Sequence, residues 1–289
     1  MGLLFANNRF LAEFSTFGIG GPIRYFAEVK TPEDMREGFL FAKSERLPFL
    51  VLGKGSNCLF DDLGFSGVVL LNKIDFCDWN GPSVSVGSGR SFSLLGVQSA
   101  RRNLSGLEFA CGIPASVGGA IFMNAGANGK ETCEHLESVT YLHEDGRTQQ
   151  YTKKELAFGY RNSSFQTMQG AILSAVFSLS EKRPDARETQ LQILARRKKT
   201  QPLQEKSIGC IFRNPTVSLG AGSLIDQSGL KGFSVGGAKV SEVHANFIVN
   251  AKQATAKDVL DLIRSVQTQV FQKTGIHLEP EIRIVRYES

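Results

Sequence analysis

Clustered glycines constrain the fold of this chain more than any other feature of its sequence. The chain has 289 residues, of which 30 are glycine. Glycine lets the main chain take left-handed conformations and approach a neighbouring group closely. Amides in such loops can converge on an anion, for which a diphosphate is a natural ligand. Any one loop could be only a tight turn, but together they favour an anion-binding fold. The loops lie at residues 18–21, 53–55, 87–89, 112–129 and 236–237.

The common phosphate-binding and hydrolytic motifs are absent from this sequence. There is no GxxxxGK[ST], which argues against a P-loop nucleotide hydrolase, and residues 53–58 lack the third glycine of the Rossmann fingerprint. HExxH, GxSxG and EF-hand patterns are missing as well. If a dinucleotide binds here, it therefore uses a different fold.

Composition and charge indicate a globular protein and do not point to nucleic-acid binding. A content of 42% hydrophobic and 21% charged residues is typical of globular proteins, and at roughly 150 residues per domain the length predicts about two units. The net charge of +5 is too small to indicate nucleic acid, and it suits an anionic small molecule equally well. The five cysteines are widely spaced without CxxC, which favours reduced thiols over zinc or disulfides. We expect no bound metal.

No segment has the pattern of a membrane span or a secretory signal. The longest charge-free stretch, residues 109–129, contains five glycines, Pro114 and two asparagines, which a spanning helix in lipid would not tolerate. Residues 1–11 lack a basic segment followed by a long apolar one. We therefore expect a cytoplasmic protein with no membrane span and no obligate protein partner.

Local signals predict alternating strands and helices in the first two thirds. Thr31, Pro32 and Asp34 form a helix start, and the apolar run 49–52 is a strand that leads into the glycine loop at 53–57. Other predicted elements are strands at 68–71, 83–86 and 171–179, helices at 92–102 and 185–199, and a hairpin turning at Asp145-Gly146. The basic run 196–199 is interpreted as the solvated last turn of the second helix.

The last third predicts a strand, a helix and a strand. Residues 243–250 form the first strand, Thr255 caps a helix that Gly275 ends, and residues 276–285 form the last strand. This order suggests a βαβ unit with a parallel pair. Period-two alternation puts Glu279, Glu281 and Arg283 on the polar face of the last strand.

Three polar side chains are candidates for chemistry, and each has a plain structural alternative. Arg161 lies in a polar loop beside an aromatic residue and could be a surface arginine. Cys210 could be a small buried hydrophobic residue. Glu281 could be a solvated or paired carboxylate.

The motifs taken together resemble one family, the UDP-N-acetylenolpyruvoylglucosamine reductases of bacterial cell-wall precursor synthesis. The similarity runs in order from about residue 14 to residue 286. The matching motifs are TFGIGG at 16–21, LGKGSN at 52–57, GLEF at 106–109, GIP at 112–114, VGGA at 117–120, MNAGA at 123–127, YRNS at 160–163, GLKG at 229–232, HANF at 244–247 and LEPE at 278–281.

The resemblance implies an α+β fold with a non-covalent FAD. The FAD-binding domain would be of the vanillyl-alcohol-oxidase type with two α/β subdomains, at 1–72 and 73–200, followed by an α/β substrate-binding domain at 201–289. The implied FAD contacts are Gly53, Lys54, Gly55, Ser56, Asn57, Gly112, Ile113, Pro114, Ser116, Gly118, Gly119, Asn124, Ala125 and Gly126.

The implied reaction is a hydride relay that uses NADPH. NADPH reduces the flavin and leaves, flavin N5 gives hydride to C3 of the enolpyruvyl sugar nucleotide, and C2 is protonated, which yields UDP-N-acetylmuramate. Arg161 and Glu281 would stabilise the charge that develops on the substrate carboxylate. Tyr160, Arg213 and Asn214 are the implied substrate-binding residues.

The sequence departs from the commonest family pattern at the proton donor. Family members usually carry serine where this chain has Cys210, and a thiol is a stronger acid than an alkyl hydroxyl. We therefore predict that Cys210 protonates C2. Ala115 stands where the family usually has glycine, and the short segment between Arg161 and Gln201 resembles the shorter family type, which lacks a tyrosine-bearing loop.

Two other functions stay open at the level of sequence. The same fold could serve an FAD-dependent oxidase of an alcohol or sugar, which would release hydrogen peroxide without NADPH. The chain could also be a non-catalytic module that binds flavin or a nucleotide sugar.

Overall fold

The computed structural model describes residues 2–181 and 185–287. The helices are α1 (Pro32–Ser44), α2 (Phe92–Arg101), α3 (Val117–Phe122), α4 (Ala186–Thr200), α5 (Ala221–Gln227) and α6 (Ala256–Thr274). The strands are β1 (Arg9–Phe10), β2 (Pro22–Val29), β3 (Phe49–Leu52), β4 (Cys58–Phe60), β5 (Phe65–Asn72), β6 (Cys77–Asn80), β7 (Ser83–Gly87), β8 (Gly126–Ala127), β9 (Lys130–Glu131), β10 (Leu136–His143), β11 (Thr148–Thr152), β12 (Phe158–Gly159), β13 (Asn162–Ser163), β14 (Gly170–Ser178), β15 (Ser207–Cys210), β16 (Ser234–Val235), β17 (Ala238–Val240), β18 (Phe247–Asn250) and β19 (Arg283–Val285). None of the helices in these ranges is long and apolar enough to cross a membrane.

The chain divides into two compact units, each assembled from separate stretches. The first unit contains the N-terminal residues to Asn7 together with Tyr25–Lys54 and Gly67–Arg196. The second unit contains Asn8–Arg24, Gly55–Ser66 and the chain from Arg197 onward. The division falls inside the glycine loop that follows β3, between Lys54 and Gly55. The three linear domains expected from the sequence stay a prediction.

A small sheet and helix α1 form one part of the first unit. Strands β3 and β5 are parallel, with Phe49 opposite Val68, and β2 lies on the other side of β5. The predicted start of α1 is confirmed, because the Thr31 side chain accepts a hydrogen bond from Asp34 N at 3.1 Å and Pro32 is the first helical residue. The apolar face of α1 is buried in the same core as β5.

A five-stranded antiparallel sheet forms the rest of the first unit. Its strand order is β11-β10-β14-β7-β6, and the predicted hairpin at Asp145-Gly146 joins β10 to β11. The sheet contributes to two cores: Phe177 packs with Phe92 and Phe109 in one, whereas Leu142 and Leu173 pack with α1 residues in the other.

The second unit is built on the antiparallel sheet β15-β18-β17-β16 with α6 packed against it. The prediction for α6 is confirmed, since Thr255 caps the helix and Gly275 ends it with φ of +71°. The residues that gave the helix its predicted apolar face, namely Val259, Leu262, Ile263, Val266 and Val270, are all buried.

The predicted parallel pairing across α6 is wrong. Strand β18 pairs antiparallel with β15 and β17, whereas β19 pairs parallel with β4. After α6 the chain first runs antiparallel beside residues 211–213, with Arg213 N donating to Glu279 O at 2.8 Å. Only then do residues 283–285 reach β4. The last strand is therefore three residues long instead of the predicted ten.

Replacing Thr255 by alanine is expected to lower the free energy of unfolding by about 1 kcal/mol. The substitution removes the acceptor for Asp258 N, which lies 3.1 Å from the threonine hydroxyl at the start of α6. The shift of the urea midpoint measures this effect. Thr268→Ala is the matched control, because that exposed hydroxyl only bonds back to Arg264 O inside the same helix. Equal shifts for the two variants would contradict the assignment of the cap.

Candidate active site

The loop after β3 and the start of α3 form a close main-chain cradle in the first unit. A Cβ atom placed on Gly53 would lie only 2.3 Å from Ser116 Oγ. Ser116 is itself the N-cap of α3 and accepts a hydrogen bond from Gly119 N at 3.2 Å. A side chain at position 53 would fill this cradle, so the local packing requires glycine there.

Several amides of the second glycine loop, at 112–119, already donate hydrogen bonds to other groups of the protein. Gly112 N donates to Ser93 Oγ at 2.8 Å, and Gly118 N donates to Ser88 O at 2.8 Å. Ile113 N donates to Ala110 O at 3.0 Å. These bonds hold the loop in a defined shape with little side-chain bulk, and Pro114 brings no amide hydrogen.

Asn124 is buried completely, and its side chain is committed to the protein. Its Nδ2 donates to Glu131 Oε2 and to Gly159 O, both at 2.9 Å, and its Oδ1 accepts from Cys133 N at 3.0 Å. The residue also has a left-handed φ of +41°. The side chain therefore fastens the segment after α3 to the strand that precedes Tyr160.

Arg161 occupies a strained turn in the same unit. Strands β12 and β13 pair on either side of Tyr160 and Arg161, and Arg161 has a φ of +54°. A left-handed conformation costs a residue with a side chain about 1–2 kcal/mol. The guanidinium donates from Nη2 to Gly126 O at 3.0 Å and lies 4.8 Å above the Tyr160 ring. Strained residues cluster at active sites, so this conformation agrees with the prediction that Arg161 is functional.

Cys210 lies at the end of a bulged strand in the second unit. Strand β15 pairs with β18 so that Ser207 faces Val249 and Cys210 faces Phe247, which leaves one extra residue on β15. Gly209, with φ of +83°, absorbs the irregularity. Bulges of this type redirect the side chain that follows them and are frequent beside active sites. The thiol is half-buried.

Glu281 lies on the segment that runs beside Cys210. Its amide donates to Ile211 O at 2.7 Å, and its carbonyl accepts from Asn57 Nδ2 at 3.4 Å. The second unit therefore groups the end of the glycine loop, the residue after Cys210 and Glu281. Arg161 belongs to the first unit, where it is grouped with the segment after α3.

The predicted substrate-binding residues have distinct local roles. Tyr160 is exposed and carries the Arg161 guanidinium above its ring. Asn214 Oδ1 accepts a hydrogen bond from Ala221 N at 3.0 Å, at the start of α5. Arg213 is half-buried and is anchored through its main chain to Glu279.

Two polar residues important for the site's geometry were not predicted. Asn246, which is 3% exposed, holds Phe212 from both sides: Phe212 N donates to its Oδ1 at 3.0 Å, and its Nδ2 donates to Phe212 O at 2.8 Å. Gln166 Nε2 donates to the main chain of the turn at Arg161 O and to the end of α3 at Phe122 O. The only sequence signal for Asn246 was its place in the HANF motif, and Gln166 had none.

Burial lowers the reactivity of two other thiols, Cys58 and Cys133. Burial raises the pKa of the Cys58 thiol to about 11, with Arg283 opposing the shift. Burial also raises the pKa of Cys133. Both thiols therefore stay protonated near neutral pH and are poor nucleophiles.

Two family models match the chain. The C-terminal domain of UDP-N-acetylenolpyruvoylglucosamine reductase matches residues 201–285, which lie in the second unit. An FAD binding domain matches residues 23–152.

Whole-chain relatives extend this similarity over the full length. The UDP-N-acetylenolpyruvoylglucosamine reductase of Protochlamydia amoebophila is 53% identical over 98% of this chain and 95% of its own length. This chain belongs to the UDP-N-acetylenolpyruvoylglucosamine reductase family. The reductase of that name from Chlamydia abortus is 47% identical over 96% of this chain and 93% of its own length.

A solved structure of the reductase family agrees with the fold. The crystal structure of UDP-N-acetylenolpyruvylglucosamine reductase from Thermus caldophilus superimposes with a TM-score of 0.83 at 38% identity, covering 98% of this chain and 99% of that chain. The expected α+β fold with an FAD-binding domain and a C-terminal domain of the reductase family is thereby confirmed.

Proposed function

We propose that this chain reduces UDP-N-acetylglucosamine enolpyruvate to UDP-N-acetylmuramate in peptidoglycan precursor synthesis, with FAD as its cofactor and NADPH as its reductant. Membership of the reductase family over nearly the whole chain supports this activity. One structural observation carries the assignment of the site: the hydrogen bond from Glu281 N to Ile211 O joins the segment that bears a carboxyl group to the one that bears the Cys210 thiol.

The residues of the two glycine loops, at 53–57 and 112–119, fit FAD. Gly53 packs so closely on Ser116 that no side chain can cover the main chain at this point, and a glycine loop with bare main-chain amides suits a diphosphate. Because the amides of Gly112, Gly118 and Gly119 already donate within the protein, these glycines serve by close approach, and Gly53, Lys54, Gly55, Ser56 and Asn57 supply the main-chain donors. Ile113, Pro114 and Ser116 shape the second wall, and Ala125 and Gly126 border the ring and ribityl chain. Asn124 acts by holding that border in place.

FAD, when bound, supplies a hydride for C3 of the enolpyruvyl group. The electron pair of the substrate double bond then moves toward C2 and the adjacent carboxylate, so negative charge grows on the carboxylate oxygens. Arg161 donates to these oxygens. Its planar, permanently charged guanidinium matches a carboxylate with two parallel hydrogen bonds.

Cys210 completes the reaction by protonating C2. Its S–H bond breaks as the new C–H bond forms, and the thiolate that remains takes up a proton before the next turnover. Glu281, in its protonated form, donates a hydrogen bond to the same carboxylate. The bulge at Gly209 directs residue 210, and the Asn246 clamp on Phe212 fixes the main chain just beyond it. Tyr160, Arg213 and Asn214 contact the substrate.

An anaerobic half-reaction experiment tests this function. Purified protein loaded with FAD is bleached by one equivalent of NADPH, and the enolpyruvyl sugar nucleotide is then added. We expect the oxidised flavin spectrum to return with formation of UDP-N-acetylmuramate. Flavin that stays bleached after the enolpyruvyl substrate is added would contradict the proposal, and flavin that an alcohol or sugar bleaches but NADPH does not would favour an oxidase.

Replacing Gly53 by alanine is expected to weaken FAD binding at least about tenfold, which corresponds to roughly 1.4 kcal/mol. The new methyl group would overlap Ser116 Oγ at 2.3 Å and occupy the cradle. Titration of apoprotein with FAD, followed by flavin fluorescence, measures the dissociation constant. Gly220→Ala is the matched control, because a Cβ atom there would meet only ordinary contacts, the nearest at 3.6 Å. Equal affinity of the two variants would remove Gly53 from the cofactor site.

A further inference from the structure

We propose that Gln166 is a positioning residue for Arg161, and that it holds the strained turn from which the guanidinium reaches the substrate carboxylate. The proposal rests on the proposed function, because it assigns Gln166 a role only through Arg161. Gln166 is partly buried and belongs to the first unit, like the turn.

The side-chain amide of Gln166 connects two main-chain carbonyl groups. Its Nε2 donates to Arg161 O at 3.1 Å and to Phe122 O at 3.0 Å. An amide nitrogen carries two hydrogens, so both are used. The carbonyl of Arg161 is thereby tied to the last residue of α3, the helix whose first turn borders the cofactor cradle.

Two further hydrogen bonds fasten the turn to the same segment. Ser163 Oγ donates to Phe122 O at 2.7 Å on the far side of Arg161. Asn124 Nδ2 donates to Gly159 O at 2.9 Å on the near side. The residues before and after the turn are therefore fixed, and Gln166 fixes the strained residue itself.

The left-handed conformation of Arg161 explains why such an anchor matters. At φ of +54° the residue is in a region that disfavours side chains, so it relaxes unless its carbonyl is held. A relaxed main chain would swing the side chain away from Gly126 O, to which Nη2 now donates at 3.0 Å. Displacements of about 1 Å in a positioning group can reduce rates by about 100-fold.

The test compares the two half-reactions in Gln166→Glu. The glutamate has the shape of the glutamine, but its carboxylate faces two carbonyl oxygens with no hydrogen to donate. We expect reoxidation of the reduced flavin by the enolpyruvyl substrate to slow roughly 10- to 100-fold, while reduction by NADPH keeps its rate. Gln166→Met, which is neutral and similar in length, should show the same split if the glutamate variant does not fold.

A matched control and a double variant separate positioning from general damage. Gln150→Glu adds the same charge to the same unit, where Nε2 bonds only the Ser138 hydroxyl at 3.1 Å, and should leave both rates unchanged. Gln166→Glu should slow Arg161→Lys protein much less than it slows the unsubstituted protein, because the two changes act on one element. Equal slowing of both half-reactions, or full additivity, would overturn the proposal.

The wild-type protein distinguishes this failure from failure of the proposed function. If the enolpyruvyl substrate does not reoxidise wild-type flavin, the function itself is wrong. If it does, and Gln166→Glu and Gln166→Met both behave like Gln150→Glu, only the role of Gln166 is wrong.

Discussion

Cys210→Ala is expected to slow reoxidation of the reduced flavin by the enolpyruvyl substrate by about 10²- to 10⁴-fold, the usual contribution of a positioned general acid. The alanine side chain has no acidic hydrogen, so the proposed proton donor for C2 of the substrate is lost and the negative charge left by hydride addition is not neutralised. Reduction by NADPH needs no proton from this residue and should keep its rate. Anaerobic stopped-flow absorbance of the flavin measures both steps.

The serine variant controls for the change in shape at position 210. Cys210→Ser restores a donor hydroxyl and should recover much of the lost activity, as the resemblance to serine-bearing family members implies. Because the bulge at Gly209 and the clamp by Asn246 use main-chain atoms around residue 210, neither variant should disturb the strand. Normal turnover of Cys210→Ala would exclude the thiol as the acid.

Arg161→Lys is expected to slow the same reoxidation step by about 10²- to 10³-fold, comparable to the loss of an oxyanion donor. Lysine keeps the positive charge but cannot make two parallel hydrogen bonds to a carboxylate. The lysine would have the same left-handed strain at this position, so the turn should be equally stable. The rate of product formation in a single turnover gives the effect directly.

An arginine outside the site supplies the comparison for this variant. Arg147→Lys makes the same chemical change in the β10–β11 hairpin, where the guanidinium pairs with Asp145 at 2.7 Å on the surface. It should leave both half-reactions unchanged. If Arg161→Lys slowed reduction by NADPH as much as reoxidation by substrate, the arginine would have a structural or cofactor role instead of the proposed one.

Local signals predicted the elements whose ends are set by neighbouring residues. The starts of α1 and α6 follow from Thr31 and Thr255, because each threonine bonds an amide three residues later. The β10–β11 hairpin follows from Asp145-Gly146 in the same way. These interactions lie within a few residues of each other, so a pattern in the sequence can report them.

Pairing between strands that are distant in the chain could not be predicted from such local signals. The sequence of β18, α6 and β19 is compatible with a parallel pair, but β4, more than 200 positions earlier, takes β19 as its partner. The candidate site is likewise only partly predictable from local sequence. Motif resemblance proposed Arg161, Cys210 and Glu281. Gln166 and Asn246 act on main-chain atoms of other segments, and neither role is visible in the neighbouring sequence, although Asn246 lies in the HANF motif.

The bulge at Gly209 has an evolutionary consequence. The contacts described around residue 210 grip the peptide groups of its neighbours, so they place no demand on whether its side chain ends in oxygen or sulfur. Exchange of hydroxyl for thiol at position 210 leaves these main-chain contacts in place. The exchange changes the sensitivity of this residue to oxidation. A thiol can be oxidised stepwise to sulfenic, sulfinic and sulfonic acids, which cannot replace it as the proton donor. Under the role proposed for Cys210, an oxidant that spares serine-bearing relatives should slow reoxidation of the reduced flavin by the enolpyruvyl substrate.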